Sequence, residues 1–193
     1  MLSTCNDSVD TVEAQVLEAA AQCVVDYGFA RVTLAEIARR AEVSRPTIYR
    51  RWPDTDSVLA AVLTDRITGA IGQVPDHGPS REQLVENIVA IAGLLRNDAV
   101  VMSVLHTAPE FMMVYITGRL GASQQFAIAA LEGEIARGQA HGSIRSGITR
   151  ELAAMVLLTV QSVLQSGVLV ESMLDGDSLT TELAYMLNGY LAS

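Results

Sequence analysis

A chain of 193 residues that is 50% hydrophobic and only 18% charged can bury a sizeable core, which excludes global disorder. Its formal charge of −9 would argue against nucleic acid if the charge were evenly spread, but it is not. All thirteen basic residues are arginines, and Arg31, Arg39, Arg40, Arg45, Arg50 and Arg51 fall in one segment against only Glu36 and Glu42. This segment is an island of +4 in a remainder of −13.

The first ten residues, MLSTCNDSVD, have neither a basic stretch nor an apolar one, so no signal peptide is read. Cys5 and Cys23 read as reduced thiols, and the expected location is the cytoplasm. From Val12 the apolar set Val16, Ala19, Ala20, Cys23, Val24 and Tyr27 keeps to one stripe of a helix. Gly28 stands where a helix end needs positive φ. Thr33 opens a second helix with Glu36 as a capping box, and Leu34, Ile37, Ala38 and Ala41 form its inner stripe. Ser44 opens a short third helix with Ile48 and Trp52 facing the core. Asp54 after Pro53 caps a fourth, which runs to about Gly72.

The stretch Gln73–Pro79 reads as a linker, and Ser80 with Gln83 is another capping box, opening a helix to about Arg96. Further helices are expected from Asp98 to His106, Pro109 to about Gln139, Thr149 to Val170 and Ser178 to Leu191, with breaks at His141–Ser143 and Gly176–Ser178. The expected fold class is all-α, about nine helices without a convincing strand. Its parts are a helix-turn-helix domain over 9–53, a linking helix over 54–72, and a ligand-binding and dimerisation domain over 80–193.

Two short helices joined by a tight turn, Leu34–Ala41 and Arg45–Trp52, have the helix-turn-helix arrangement, whose second helix enters the major groove. With Ile48 and Trp52 inward, a step of about 100° per residue turns Pro46, Thr47 and Arg50 outward, flanked by Arg45, Tyr49 and Arg51. Arg45 and Arg50 can donate bidentately to guanine, and Thr47 offers a hydroxyl or methyl to a base edge. Tyr49, Arg51 and the helix starts Thr33 and Ser44 suit phosphates.

The run GFARVTLAEIARRAEVSRPTIYRRWPDTDSVL resembles the DNA-binding domain of the TetR (tetracycline-repressor) family, closely over about Val12–Leu63. The matching pieces are Gly28-Phe29, Thr33, Ile37-Ala38, Ala41, Val43-Ser44, Thr47-Ile48-Tyr49, Trp52 and Val58-Leu59. The resemblance implies an all-α dimer that reads a palindromic operator with its paired N-terminal domains and binds an effector in the C-terminal one. Three positions depart from the family pattern. Glu42 replaces a glycine in the turn, Pro46 replaces a glycine in the reading helix, and Thr55 replaces a lysine at the start of the fourth helix.

Nineteen residues between Glu151 and Glu171 carry no charge, enough to span a membrane by length. Gln161, Ser162, Gln165 and Ser166 form a polar stripe on this segment, and no basic flank or aromatic belt accompanies it. The better expectation is a buried helix that, with Ser178–Leu191, forms a homodimer interface. An effector is expected among Met102, His106, Phe111, Met112, Tyr115, Phe126, Gln161 and Gln165, the large or polar side chains on aliphatic faces. Low aromatic content suits a small apolar or amphipathic molecule. His77, His106 and His141 are scattered, and metal-ligand spacing, a phosphate loop and a nucleophile elbow are lacking. No enzyme, metal or cofactor is therefore expected. Two alternatives stay open: an activator, and a helical sensor whose N-terminal domain no longer binds DNA.

Overall fold

Apolar spacing near 3.6 residues, interrupted by Ser, Asp, Pro and Gly at turn positions, folds this chain into helices almost throughout. The computed structural model describes residues 4–107 and 121–193, and its described residues form nine α-helices. These are α1 (Thr4–Tyr27), α2 (Leu34–Arg40), α3 (Arg45–Arg51), α4 (Thr55–Gln73), α5 (Arg81–Arg96), α6 (Ala99–Thr107), α7 (Ala122–His141), α8 (Thr149–Ser166) and α9 (Gly176–Leu191). A 3-10 turn follows α1 (Phe29–Arg31) and another follows α8 (Gly167–Val170), and the described residues include no strand beyond an isolated bridge of Ile144 with Ala192. The helices belong to two compact units, Met1–Arg66 with Asp98–Ser123, and Ile67–Asn97 with Gln124–Ser193.

In the first unit the α1 stripe is buried at Val16, Ala19, Ala20, Cys23 and Val24, against Leu34, Ile37 and Ala38 of α2 and Ile48 of α3. Tyr27, expected on the same stripe, is 43% exposed. Its hydroxyl accepts a hydrogen bond from Arg40 at 2.9 Å, which holds the ring at the surface. Gly28 has φ 75°, the conformation its place after α1 calls for. At α2, Thr33 accepts from the Glu36 amide at 3.2 Å, but only half of the expected capping box forms. The Glu36 carboxylate turns to Arg39 instead, at 2.6 and 2.9 Å. Asp98 caps α6 by accepting from the amides of Val100 and Val101 at 2.9 Å. Val100 and Val104 are buried in the core that α1 organises, and the Ser103 hydroxyl donates to the Val24 carbonyl at 3.3 Å.

The second unit buries Leu84, Val85 and Ile88 of α5 against Leu152 and Val156 of α8 and Leu183 and Leu187 of α9. The capping box at α5 is complete, with Ser80 and Gln83 exchanging hydrogen bonds at 3.3 Å. Helix α9 starts at Gly176, where a break was expected, because Asp175 accepts from the Ser178 amide at 2.8 Å and caps it. The expected helix to Val170 is α-helical only to Ser166 and tightens to a 3-10 turn beyond. Of the helix expected from Pro109, Ala122–His141 is seen as α7, and 109–120 lie outside the described residues. A Cβ on Gly138 would run into the buried Ile144 side chain, so a larger residue there would force Ile144 to shift where the chain folds back over the end of α7.

Candidate nucleic-acid interface and an internal cavity

The turn between α2 and α3 is built by backbone hydrogen bonds that close a helix end. The Val43 amide donates to the Ala38 carbonyl at 3.0 Å and the Glu42 amide to that of Arg39 at 3.4 Å. This pairing is the Schellman arrangement, and it needs a left-handed residue at position 42. Glu42 supplies it at φ 55°, alone among the described non-glycine residues in having positive φ. The turn therefore keeps the helix-turn-helix geometry without glycine, at a cost of about 1 kcal/mol.

Ser44 then caps α3, its hydroxyl accepting from the Thr47 amide at 3.3 Å and lying 2.7 Å from the Thr47 hydroxyl. Pro46 fits the first turn of α3, where no amide hydrogen bond is lost. Ile48 and Trp52 are buried, and Arg45, Pro46, Tyr49 and Arg50 are exposed around them, with Thr47 half-buried. Tyr49 is 53% exposed, far more than its ring needs for packing.

The arginines divide by their partners. Arg39 holds Glu36 and keeps its carboxyl below the usual range, and Arg40 holds Asp26 at 2.6 Å. Arg51 pairs with Glu13 of α1 and lies 5.5 Å from the Trp52 ring centroid, so it secures the back of α3. Arg45 and Arg50 have no ion-pair partner among the described residues. Glu13 and Asp26 each remove one charge from the +4 island and leave +2, concentrated on Arg31, Arg45 and Arg50. Two unpaired guanidiniums, a phenol and a hydroxyl on one outward face are the donors that major-groove edges and phosphates accept.

The second unit contains a cavity of about 340 Å³. Ile67 and Ile71 of α4, Leu84, Asn87, Ile88 and Ile91 of α5, Ala127, Ala130, Leu131 and Glu134 of α7, and Val160 of α8 are among its lining. Asp76 stands beside them; its carboxylate accepts from the Gly78 amide and from Arg137 and is held below its usual range by both. Arg137 also bonds Glu134 at 3.0 Å. Asn87 Oδ1 is buried and accepts no hydrogen bond from the described residues. An unmet acceptor of this kind costs about 1–3 kcal/mol.

Of the residues picked from the sequence for an effector, Met102, Phe126, Gln161 and Gln165 are not among those lining this cavity. Met102 is half-buried on α6 in the first unit, and Phe126 is exposed on α7. Gln161 accepts from Gln124 at 2.8 Å, a bond tying α8 to α7, while Gln165 is half-buried. His106 lies on α6 with its side chain outside the described residues, as are Phe111, Met112 and Tyr115. The cavity lining is mostly Ile, Leu and Ala, which in a sequence look like ordinary core. One signal was available. Leu84, Ile88, Ile91 and Leu95 make an apolar stripe on α5, and Asn87 is a lone amide within it.

Residues 16–62 match the model of bacterial regulatory proteins of the tetR family. Over 191 residues the chain is 56% identical to an uncharacterized HTH-type transcriptional regulator of Mycobacterium tuberculosis, covering 99% of this chain and 100% of that one. Among solved structures it is similar to the transcriptional regulator FadR from Bacillus subtilis in complex with stearoyl-CoA, with TM-score 0.65, 19% identity, and 92% and 98% of the two chains covered. It is also similar to SmeT in its triclosan complex, with TM-score 0.61, 20% identity, and 95% and 92% covered. SmeT is the repressor of a Stenotrophomonas maltophilia multidrug efflux pump. The fold, the helix-turn-helix and the full-length relative together place the molecule: this chain belongs to the tetR family of helix-turn-helix transcriptional regulators and is not an enzyme.

Proposed function

We propose that the chain is a repressor that binds a palindromic operator as a homodimer and leaves it when a small apolar or amphipathic effector binds. The observation that carries the DNA half is the outward face of α3, where Arg45, Thr47, Tyr49 and Arg50 surround the buried Ile48. In this reading Arg45, Thr47 and Arg50 read base edges, whereas Pro46, Tyr49 and the starts at Thr33 and Ser44 approach the backbone. Arg51, held by Glu13, acts mainly by fixing α3 in place.

Two exposed apolar surfaces support a homodimer. Met155 and Leu158 stand exposed on α8, and Tyr185 and Met186 on α9, large apolar side chains of the kind a partner surface covers. The segment Thr149–Val170 has the length and apolar composition of a membrane span, with mean hydropathy 1.8. Its exposed face and that of α9 are read as covered by the same faces of a second copy. The cavity in the second unit supports an effector, and ligands in the FadR and SmeT complexes are consistent with one. The working division is reading domain 9–53, linking helix 54–72 and sensing and pairing domain 80–193. The site of action is the cytoplasm, and the linking helix transmits the change in spacing of the reading heads.

Selection from a random duplex library tests the whole reading. The expected product is a palindrome with half-sites about 34 Å apart or a multiple of it, bound by a dimer with affinity that falls steeply with salt. A library that yields no enriched sequence would support the helical sensor without DNA binding. A monomer in light scattering at micromolar concentration would overturn the pairing of α8 and α9.

A further inference from the structure

The cavity in the second unit has a wall and a rim of different chemistry. Its wall is aliphatic, with no aromatic side chain among the lining residues. At about 340 Å³ it lies near the small end of ligand pockets, which run about 300–1,000 Å³. The Asn87 side-chain oxygen is buried beneath this wall and offers no surface to a guest. Charge enters at the rim. Asp76 and Glu134 are the ionisable residues of the lining, and their side chains reach solvent, 61% and 40% exposed. Arg137 bonds each of them at 3.0 Å but does not itself belong to the lining. One guanidinium against two carboxylates leaves the rim at −1. The unit around it carries ten side-chain carboxylates against five arginines, so no wider positive field offsets that charge.

We propose that this cavity binds a cationic amphiphile, its alkyl tail against the aliphatic wall and a single positive head at the rim beside Asp76 and Glu134. The assignment rests on the effector reading above and gives that effector a chemistry. The tail supplies the driving force by leaving water, and it needs no hydrogen bond from the wall. The head stays partly hydrated at the rim, which avoids the cost of burying a charge in aliphatic carbon. There the excess carboxylate attracts a cation and repels an anion, and a neutral head gains nothing from it. Three heads on one tail should therefore rank as cation, neutral, anion. The rim also fixes the sign of each substitution. Arg137 is the opposing charge, so its loss strengthens the preference, whereas loss of the two carboxylates reverses it.

Calorimetry on the full chain without DNA, using decylammonium, 1-decanol and decanoate below their micelle-forming concentrations, tests this. At low salt the parent protein is expected to bind decylammonium about fivefold more tightly than 1-decanol and at least about tenfold more tightly than decanoate. Both ratios should shrink as salt is added. Arg137→Ala takes the rim to −2 and should widen the ratio of decylammonium to decanoate. Asp76→Asn combined with Glu134→Gln takes it to +1 and should invert that ratio, while asparagine keeps an oxygen for the Gly78 amide. Ala130→Leu, which places extra carbon in the cavity, should weaken all three probes. Circular dichroism melts establish that each variant is folded, and the ranking and its salt dependence are read on the parent alone. Equal or weaker binding of decylammonium than of 1-decanol or decanoate, or ratios that ignore salt, overturns the assignment. So does a ratio that narrows in Arg137→Ala, one that persists in the double variant, or binding that is unmoved in Ala130→Leu. The effector reading is judged separately, on the selected operator. Decylammonium that binds with these signs without moving operator affinity upholds the ligand class and overturns the effector role, whereas operator release by decanoate or 1-decanol alone does the reverse.

Discussion

Along α3, Ile48 is fully buried while Arg45, Tyr49 and Arg50 stand in solvent within one turn of it. Along α5, Leu84, Ile88 and Leu95 are buried and the lone amide among them, Asn87, has its oxygen buried as well. The same helical geometry thus presents chemistry outward in one unit and inward in the other. On α3 the recognised object is large and charged, so exposed cations and hydroxyls are the useful groups. Around the cavity the expected object is small and mostly apolar, so the useful groups resemble an ordinary aliphatic core. The contrast predicts that substitutions separate: those on α3's outer face move DNA binding alone, and those beneath it move stability.

The largest effect should come from Ile48→Ala. Removing most of a fully buried isoleucine from the junction of α1, α2 and α3 should cost about 2–5 kcal/mol in a urea titration and abolish operator binding with it. A variant that unfolds like the parent would mean that α3 is not seated as described. Arg50→Ala is the outward counterpart. It should lose about 1–3 kcal/mol of discrimination at one base pair of each half-site, while stability stays within about 0.5 kcal/mol of the parent. Arg51→Ala sharpens the comparison, because that guanidinium is held by Glu13 and lies over Trp52. Its loss should lower stability by about 0.5–1 kcal/mol and disturb base discrimination less than Arg50→Ala does. The reverse order would show Arg51 leaving Glu13 for a phosphate.

How much of this was legible in the sequence follows the same division. The reading unit was, down to most of its caps, because Ser44, Asp54 and Gly28 act on backbone groups within three or four residues of themselves, while the Glu36 half of the α2 capping box went to Arg39 instead. Charge pairing was legible only in part. The helical angle of Arg51 points it to a phosphate, yet its partner Glu13 is 38 residues away and only the packing of α3 on α1 brings it near. Helix ends were read to within a few residues, and α9 began early because Asp175, unlike Gly176, can cap. The cavity was barely legible, its one local mark being Asn87 within the apolar stripe of α5. Reaching for Met, Phe, Tyr and His as adaptable pocket groups passes over a lining of Ile, Leu and Ala from four helices, whose convergence no local pattern records.

Within the cavity unit the smaller effects are informative because they separate stability from recognition. Asn87→Leu replaces the unmet amide with apolar surface and should stabilise the ligand-free chain by about 1 kcal/mol. A destabilised variant would mean that the amide is satisfied in solution.

The smallest effect, and the one most specific to this chain, is at Glu42. Its φ of 55° costs a non-glycine residue about 1 kcal/mol, so Glu42→Gly relieves strain in the folded turn. Glycine also gives the unfolded chain more freedom, which takes back about 0.4–1 kcal/mol. The two nearly cancel, and the melting temperature should move by no more than a few degrees. DNA binding has no such cancellation, since an exposed carboxylate is removed from beside an island whose net charge is only +2 once Glu13 and Asp26 are counted. Operator affinity should therefore rise, and the gain should shrink as salt screens it. A gain that survives high salt would instead mark a change in the seating of α3. A loss of affinity would mean that the stiffness of the Glu42 turn, rather than its charge, is what the reading helix needs.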